Sequence, residues 1–368
     1  MARDATQLQL HQDVTLGDTL RKWLSDTLVP EAHSNFAIHD LDAPDAGFSG
    51  QTVFFTASWT ADDGTCESHE LVLRMQSSNH QLFTEPDALR QAAVMQALGG
   101  HPGVVTPRIV LTEADPAVLG APFYLMARVR GRVPSDIPSW HKKGWTVELD
   151  ADERRRMYDN ALRALVAVHA VDDEKTLAVL RDPAQQPHTT ALQQYLTRLH
   201  DWYEARRPEL VVGEDVLPEA WRMLAASAPD TDAETVVWGD ARVGNMAFAQ
   251  DLSVAALFDW ETASTGPAEI DLGWWLMFER FLCESLGFTR MDGVPADDDA
   301  IVRRYRELGG RIDTDLRYYT VLAAFVFSLI TNRLALLLVE NGLDEKTARS
   351  YPESAVSLVR HYLDEFTS

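Results

Sequence analysis

Apolar residues recur along this 368-residue chain in two rhythms, an extended one first and a helical one afterwards. Residues 51–59 are rich in β-branched and aromatic side chains, and an extended pattern resumes over 70–75 (ELVLRM) after the turn-forming ADDGT at 61–65. These read as paired antiparallel strands, and 109–112 and 123–129 supply two more. Leu16, Leu20, Trp23, Leu24 and Leu28 instead share one face of a helix ended by Pro30, and 87–98 predicts a second helix, ended by Gly99 and Gly100. The first 130 residues thus predict a sheet of four or five strands with helices, closing at Gly131 and Pro134. From Asp150 the helical period takes over. Residues 157–171 carry a stripe of Leu162, Leu165, Val166 and His169, and further helices are expected over 190–206, 218–226, 270–286, 298–308, 313–340 and 344–366. A β-rich lobe over 1–130 and a mostly helical lobe over 131–368 follow, an α+β organisation.

The longest apolar run, 321–330, is interrupted at Thr331, Asn332 and Arg333 before 334–339. A membrane span needs roughly 20 apolar residues, so a buried helix is expected instead. The first residues, MARDATQLQLHQDV, hold no apolar core of signal-peptide length. Charge narrows the partners. With 56 acidic against 33 basic residues the formal net charge is -23, which repels nucleic acid and anionic membrane. Two cysteines, Cys66 and Cys283, are too few and too far apart for a disulfide framework or a zinc site. A soluble, cytoplasmic protein is expected.

The chemistry gathers in 236–261, VVWGDARVGNMAFAQDLSVAALFDWE. Gly239 permits a sharp loop carrying Asp240, and 246–249 and 254–258 form two arms of a hairpin about a turn at Gln250 and Asp251. A hairpin folds its ends together, which brings Asn245 close to Asp259. Magnesium takes hard oxygen donors, often only one or two from protein and the rest from phosphate and water, and Asn245 with Asp259 suits it. Asp240 would then face the phosphate from the substrate side. The bland alternative makes Asp240 a loop cap, Asn245 a turn residue and Asp259 a helix-start residue.

The segments WGDARVGN, LFDWE and GPAEIDLGWW resemble those of the aminoglycoside phosphotransferase family, which has the protein-kinase-like fold. The nearest branch is the one whose members include domains fused to acyl-CoA dehydrogenases. LVLR at 71–74, LGAPFYLMARVRGRV and LVAVHAVD extend the resemblance over most of the chain. It implies a bilobal fold that uses ATP and Mg²⁺ to phosphorylate a small hydroxylated molecule. Asp240 would orient or deprotonate the acceptor hydroxyl, Asn245 and Asp259 would hold magnesium, and Arg242 would approach the transferring phosphoryl group. Arg74 stands where a strand-borne lysine touches the α- and β-phosphates, and the turn Ser49, Gly50, Gln51, Thr52 where the fold covers them. The backbone of Ala127 and Val129 lies where adenine would bind. Asp271 would brace the catalytic loop.

Three departures mark this chain: Trp238 replaces the usual histidine before the loop, Arg74 the lysine, and Gln91 the glutamate that pairs with it. They leave room for a nucleotide-binding protein without turnover. His169 is expected as a packed core histidine, and Trp274 and Trp275 as core, one of them lining the acceptor cleft. The acceptor is left open between an aminoglycoside-like sugar, which acidity suits, and a hydroxyacyl metabolite, which the branch suggests.

Overall fold

Val53, Phe55 and Ala57 point at period two to one face of the strand Gly50–Thr60, and all three are buried. They belong to one of two compact units in the computed structural model, which describes residues 17–27, 34–42, 50–61, 63–76, 87–181 and 188–368. The first unit takes in Met1–Gln96 and Pro107–Val129, the second Ala97–Thr106 and Arg130–Ser368.

In the first unit helix α1 (17–27) is followed by β1 (Ser34–Asp42), β2 (Gly50–Thr60), β3 (Cys66–Gln76), α2 (Ala88–Leu98), β4 (Ile109–Glu113), α3 (Pro116–Leu119) and β5 (Phe123–Ala127). The strands make one five-stranded antiparallel sheet in the order β1-β2-β3-β5-β4. Leu20 and Leu24 of α1 pack with Val53, Phe55, Ala57, Leu71, Leu73, Phe123 and Leu125 as its core. The expected helical stripe is therefore real, although Leu16, Leu28 and Pro30 lie outside the described residues. β1 has no counterpart in the sequence reading. It is an edge strand with register shifts and with positive φ at Asn35 and Asp40, which spoil the alternation a strand normally shows.

The second unit is α4 (Ala151–His169), α5 (Glu174–Leu180), α6 (Ala191–Arg206), α7 (Leu217–Ala226), β6 (Thr235–Val237), β7 (Met246–Phe248), β8 (Val254–Leu257), β9 (Ser264–Gly266), α8 (Glu269–Leu282), α9 (Asp298–Glu307), α10 (Leu316–Glu340) and α11 (Glu345–Thr367). Asp150 and Glu153 close a reciprocal capping box at the start of α4. α10 is long and apolar enough to cross a membrane, yet two thirds of its most apolar window is buried in this unit, against α11, α8, α7 and α6. It runs unbroken through the polar trio of Thr331, Asn332 and Arg333. Asn332 is buried there with its amide satisfied: its Nδ2 donates to the Ser328 carbonyl at 2.8 Å, and its Oδ1 accepts the N–H groups of Val211 and Val212 at 2.7 and 3.0 Å.

Candidate active site

β6 pairs with β9 and is followed by the buried Trp238, from which the chain turns into the loop carrying Asp240. That turn is fixed from below. Asp271, in the first turn of α8 and fully buried, accepts the N–H of Trp238 at 2.6 Å and that of Gly239 at 2.8 Å. His169, the last residue of α4, meets the same carboxylate through Nε2 at 3.0 Å, while its Nδ1 lies 2.7 Å from the Tyr305 hydroxyl. A carboxylate only accepts, so Nε2 carries the hydrogen. The histidine expected as core is buried, but it is the far end of the brace. Gly239 sits at φ +92°, where a Cβ would also come within 2.3 Å of Thr262 Oγ1 and 2.8 Å of the Thr262 carbonyl.

Asp240 is held by three side chains. Its Oδ1 accepts from Arg242 Nε and from Trp274 Nε1, each at 2.8 Å, and its Oδ2 accepts from Asn245 Nδ2 at 2.7 Å. Burial raises its pKa to about 7, the negative charge of Asp259 adding to the effect and the bonds from Asn245 and Trp274 opposing it. Arg242 also binds Asp136 through Nη1 and lies over the Phe278 ring, 5.1 Å from its centroid. Burial pulls the Arg242 pKa down to about 10, still cationic at neutral pH.

A short 3-10 turn, Val243–Asn245, swings Asn245 back so that Nδ2 also reaches the Asp240 carbonyl at 3.0 Å. β7 and β8 then form the expected hairpin, and just past its open end the Phe258 N–H donates to the Asn245 carbonyl at 2.9 Å. Asp259 follows at once, exposed and at φ +58°. Aspartate tolerates this left-handed backbone better than most residues. Trp238 holds the same point from the other side, its Nε1 donating to the Phe258 carbonyl at 2.8 Å. Trp238 thus ties the Asp240 loop to the Asp259 segment. Both recorded side-chain bonds of Asn245 use Nδ2, so its Oδ1 is the atom suited to a cation. One amide oxygen and one carboxylate are hard donors, and they fit magnesium that completes its shell with phosphate and water. Among the described residues no group of three or more His, Cys, Asp or Glu side chains could hold a metal, so a cation here would need such outside ligands.

Of the two tryptophans expected as core with one lining the acceptor cleft, Trp274 is the one that reaches Asp240, and it was legible because it lies one helical turn after Asp271 on the same face of α8. Asp136 was not: it stands 104 positions before Asp240 with no periodic pattern to mark it.

The residues expected to meet nucleotide lie in the first unit. Ser49 falls outside the described residues. Gly50, Gln51 and Thr52 belong to strand β2 rather than to a turn, paired with Gln76, Met75 and Arg74. Arg74 Nη1 donates to Thr52 Oγ1 at 2.7 Å. Gln91 is buried and accepts from the hydroxyl of Tyr124, the cross-strand neighbour of Arg74. Ala127 spends its N–H on the Arg108 carbonyl at 2.9 Å, so adenine could not use that donor, and Val129 lies beyond the end of β5.

Comparison with known proteins puts these features in a family. The phosphotransferase enzyme family profile matches residues 36–315. The probable acyl-CoA dehydrogenase IBR3 of Arabidopsis thaliana is 25% identical over 212 residues, 55% of this chain but only 24% of that protein. The chain therefore spans about a quarter of the length of that relative. A Ralstonia eutropha protein named as a candidate aminoglycoside phosphotransferase superposes with a TM-score of 0.67 at 20% identity, covering 94% of this chain and 98% of that one. The aminoglycoside phosphotransferase APH(4)-Ia, in a ternary complex with ADP and hygromycin B, gives 0.56 at 15% identity, covering 92% and 98%. At such identities the structures establish the fold, which is α+β and protein-kinase-like. The profile match runs from β1 through the Asp240 loop to the start of α10, and by it this chain belongs to the phosphotransferase enzyme family.

Proposed function

We propose that the chain transfers the γ-phosphate of ATP to a hydroxyl of a small molecule. The carrying observation is the environment of Asp240. Its Oδ1 already accepts two hydrogen bonds, whereas Oδ2 accepts one, so Oδ2 keeps a lone pair for an acceptor O–H. A carboxylate with a pKa near 7 is suited to orienting that hydroxyl and taking its proton. Phosphoryl transfer passes through a loose transition state, so positioning and charge neutralisation matter most.

Asn245 and Asp259 would hold Mg²⁺, which when bound neutralises charge on the phosphoryl oxygens. Arg74, with Thr52, would serve the α- and β-phosphates, and Arg242 would approach the transferring group. Ser49, Gly50 and Gln51 would cover the phosphates, and the Ala127 carbonyl and the Val129 backbone would face adenine. The family relative crystallised with ADP and hygromycin B supports nucleotide use and a small acceptor. Beside Asp240 stand the indole of Trp274, the ring of Phe278 and the cation of Arg242. The two rings favour an acceptor with apolar surface, such as a hydroxyacyl metabolite, over an aminoglycoside-like sugar.

A second reading, nucleotide binding without turnover, is favoured by one observation: Gln91, in place of an acid, is bonded to Tyr124. Following ADP and phosphorylated product across a panel of aminoglycosides and hydroxyacyl thioesters, with and without Mg²⁺, separates the two. Turnover is expected only with Mg²⁺. Asp259→Ala is expected to weaken Mg·ATP binding at least tenfold while leaving metal-free nucleotide binding within a few-fold. Unchanged Mg·ATP affinity would remove Asp259 from the metal site, and a wild type that binds nucleotide yet phosphorylates nothing would favour the second reading.

A further inference from the structure

We infer that Asp136 is a positioning residue for the transfer: acting through Arg242, it fixes the orientation of the Asp240 carboxylate. The inference rests on the reading of Asp240 as the acceptor-facing group.

Asp136 lies in the loop between β5 and α4, and Arg242 joins it to Asp240. The two ends of that bridge use different nitrogens of one planar guanidinium, Nη1 toward Asp136 and Nε toward Asp240. In a rigid fork the direction of one N–H sets the direction of the other. The guanidinium carbon stands 5.1 Å from the Phe278 ring centroid, and the bond from Nη1 to Asp136 sets how the fork is turned there, and with it where Nε points. Asp240 Oδ1 receives that N–H, and rotation of the carboxylate would turn Oδ2 away from the acceptor.

The catalytic loop is cut to admit this carboxylate. A Cβ on Gly244 would lie 2.2 Å from Asp136 Oδ1 and 2.8 Å from Arg242 Nη1. Gly244 has no left-handed φ, so its backbone does not need glycine; the space does. Asp136 is also a poor stabilising residue. Its Oδ1 is buried and receives no hydrogen bond, an arrangement that costs stability and fits a residue kept for geometry.

The test is a double-mutant cycle read in two ways: ADP release from Mg·ATP with water as acceptor, and the ¹H–¹⁵N resonance of the Trp274 indole, assigned with Trp274→Phe. That indole donates to the same Asp240 oxygen as Arg242 and reports its orientation whether or not turnover occurs. Asp136→Asn is expected to move the resonance and to lower kcat at least tenfold, with the KM for Mg·ATP within threefold. In an Arg242→Ala background the same substitution should change neither readout further. Gly244→Ala should act as Asp136→Asn does, and it replaces that variant should the latter fail to fold. An unmoved resonance in both variants, or losses that multiply in the double variant, would overturn the inference. A wild type that released no ADP would count against phosphoryl transfer alone, and the resonance would still decide the role of Asp136.

Discussion

Asp240→Asn is expected to abolish phosphoryl transfer and yet leave the metal-free protein more stable than wild type at pH 8. Transfer should fall by about 10³-fold or more, since the amide can neither take the acceptor proton nor hold the hydroxyl as a carboxylate does. Nucleotide affinity should stay within a few-fold, because the proposed nucleotide and metal contacts lie on other residues. The stability gain follows from linkage. Folding raises the Asp240 pKa to about 7, whereas in an unfolded chain it lies near 3.9. Between those values the folded protein keeps a proton that the unfolded chain has released. Stability from this group is therefore lost as pH rises from about 4 through 7 and stays lost above. With a fifth of the side chain still exposed, the loss is on the order of 2 kcal/mol. Asparagine removes the titration and hence that slope. Melting midpoints of both proteins in a chelator from pH 5 to 8, with nucleotide binding by calorimetry, check the result. A variant that kept wild-type turnover, or whose midpoints fell with pH as steeply as wild type, would contradict the assignment.

Asp271→Ala is expected to cost more stability than any other single change at the site, about 3–5 kcal/mol. Its fully buried carboxylate accepts from two backbone N–H groups and from His169, and alanine would leave all three donors unmet. A domain is typically stable by only about 5–15 kcal/mol, so much of the folded population is at stake. The carboxylate also sits at the N-terminal end of α8, where the helix dipole favours a negative charge. Asp271→Asn keeps the shape but accepts through one oxygen, so it should fall between alanine and wild type. Urea midpoints of the three proteins measure the series. A loss under about 1 kcal/mol for alanine would mean that the loop is held by something else.

What could be read from sequence was what local pattern encodes. The hairpin of β7 and β8 was legible because two short apolar arms flank a turn at Gln250 and Asp251. Asn245 and Asp259 then had to be neighbours. β1 was lost because its positive-φ residues, Asn35 and Asp40, and its register shifts leave no alternation to find. The family resemblance made a turn of Gly50 to Thr52, whereas the residue pattern already placed Gln51 and Thr52 in a strand, and the ladder with β3 carries all three into β2. His169 had the right surroundings for a core residue and an additional task that only the packing of α4, α8 and α9 reveals. The role of Trp238 was equally hidden, since its bond to the Phe258 carbonyl spans 20 positions. Asp136 was the least accessible, because its partner lies 106 positions away and nothing local requires the pair.

The unbroken course of α10 has a consequence for the chain as it is being made. A ribosome delivers Leu316–Glu340 before Glu345–Thr367, the helix that packs along it. In that interval a 25-residue segment with the hydropathy of a membrane span has part of its surface uncovered. Its polar residues tell the two destinations apart. In a bilayer the Asn332 Oδ1 would forgo the N–H groups of Val211 and Val212, which are available only inside the folded chain. The amide that closes a loop in the finished protein thereby also makes lipid the poorer refuge for the nascent one.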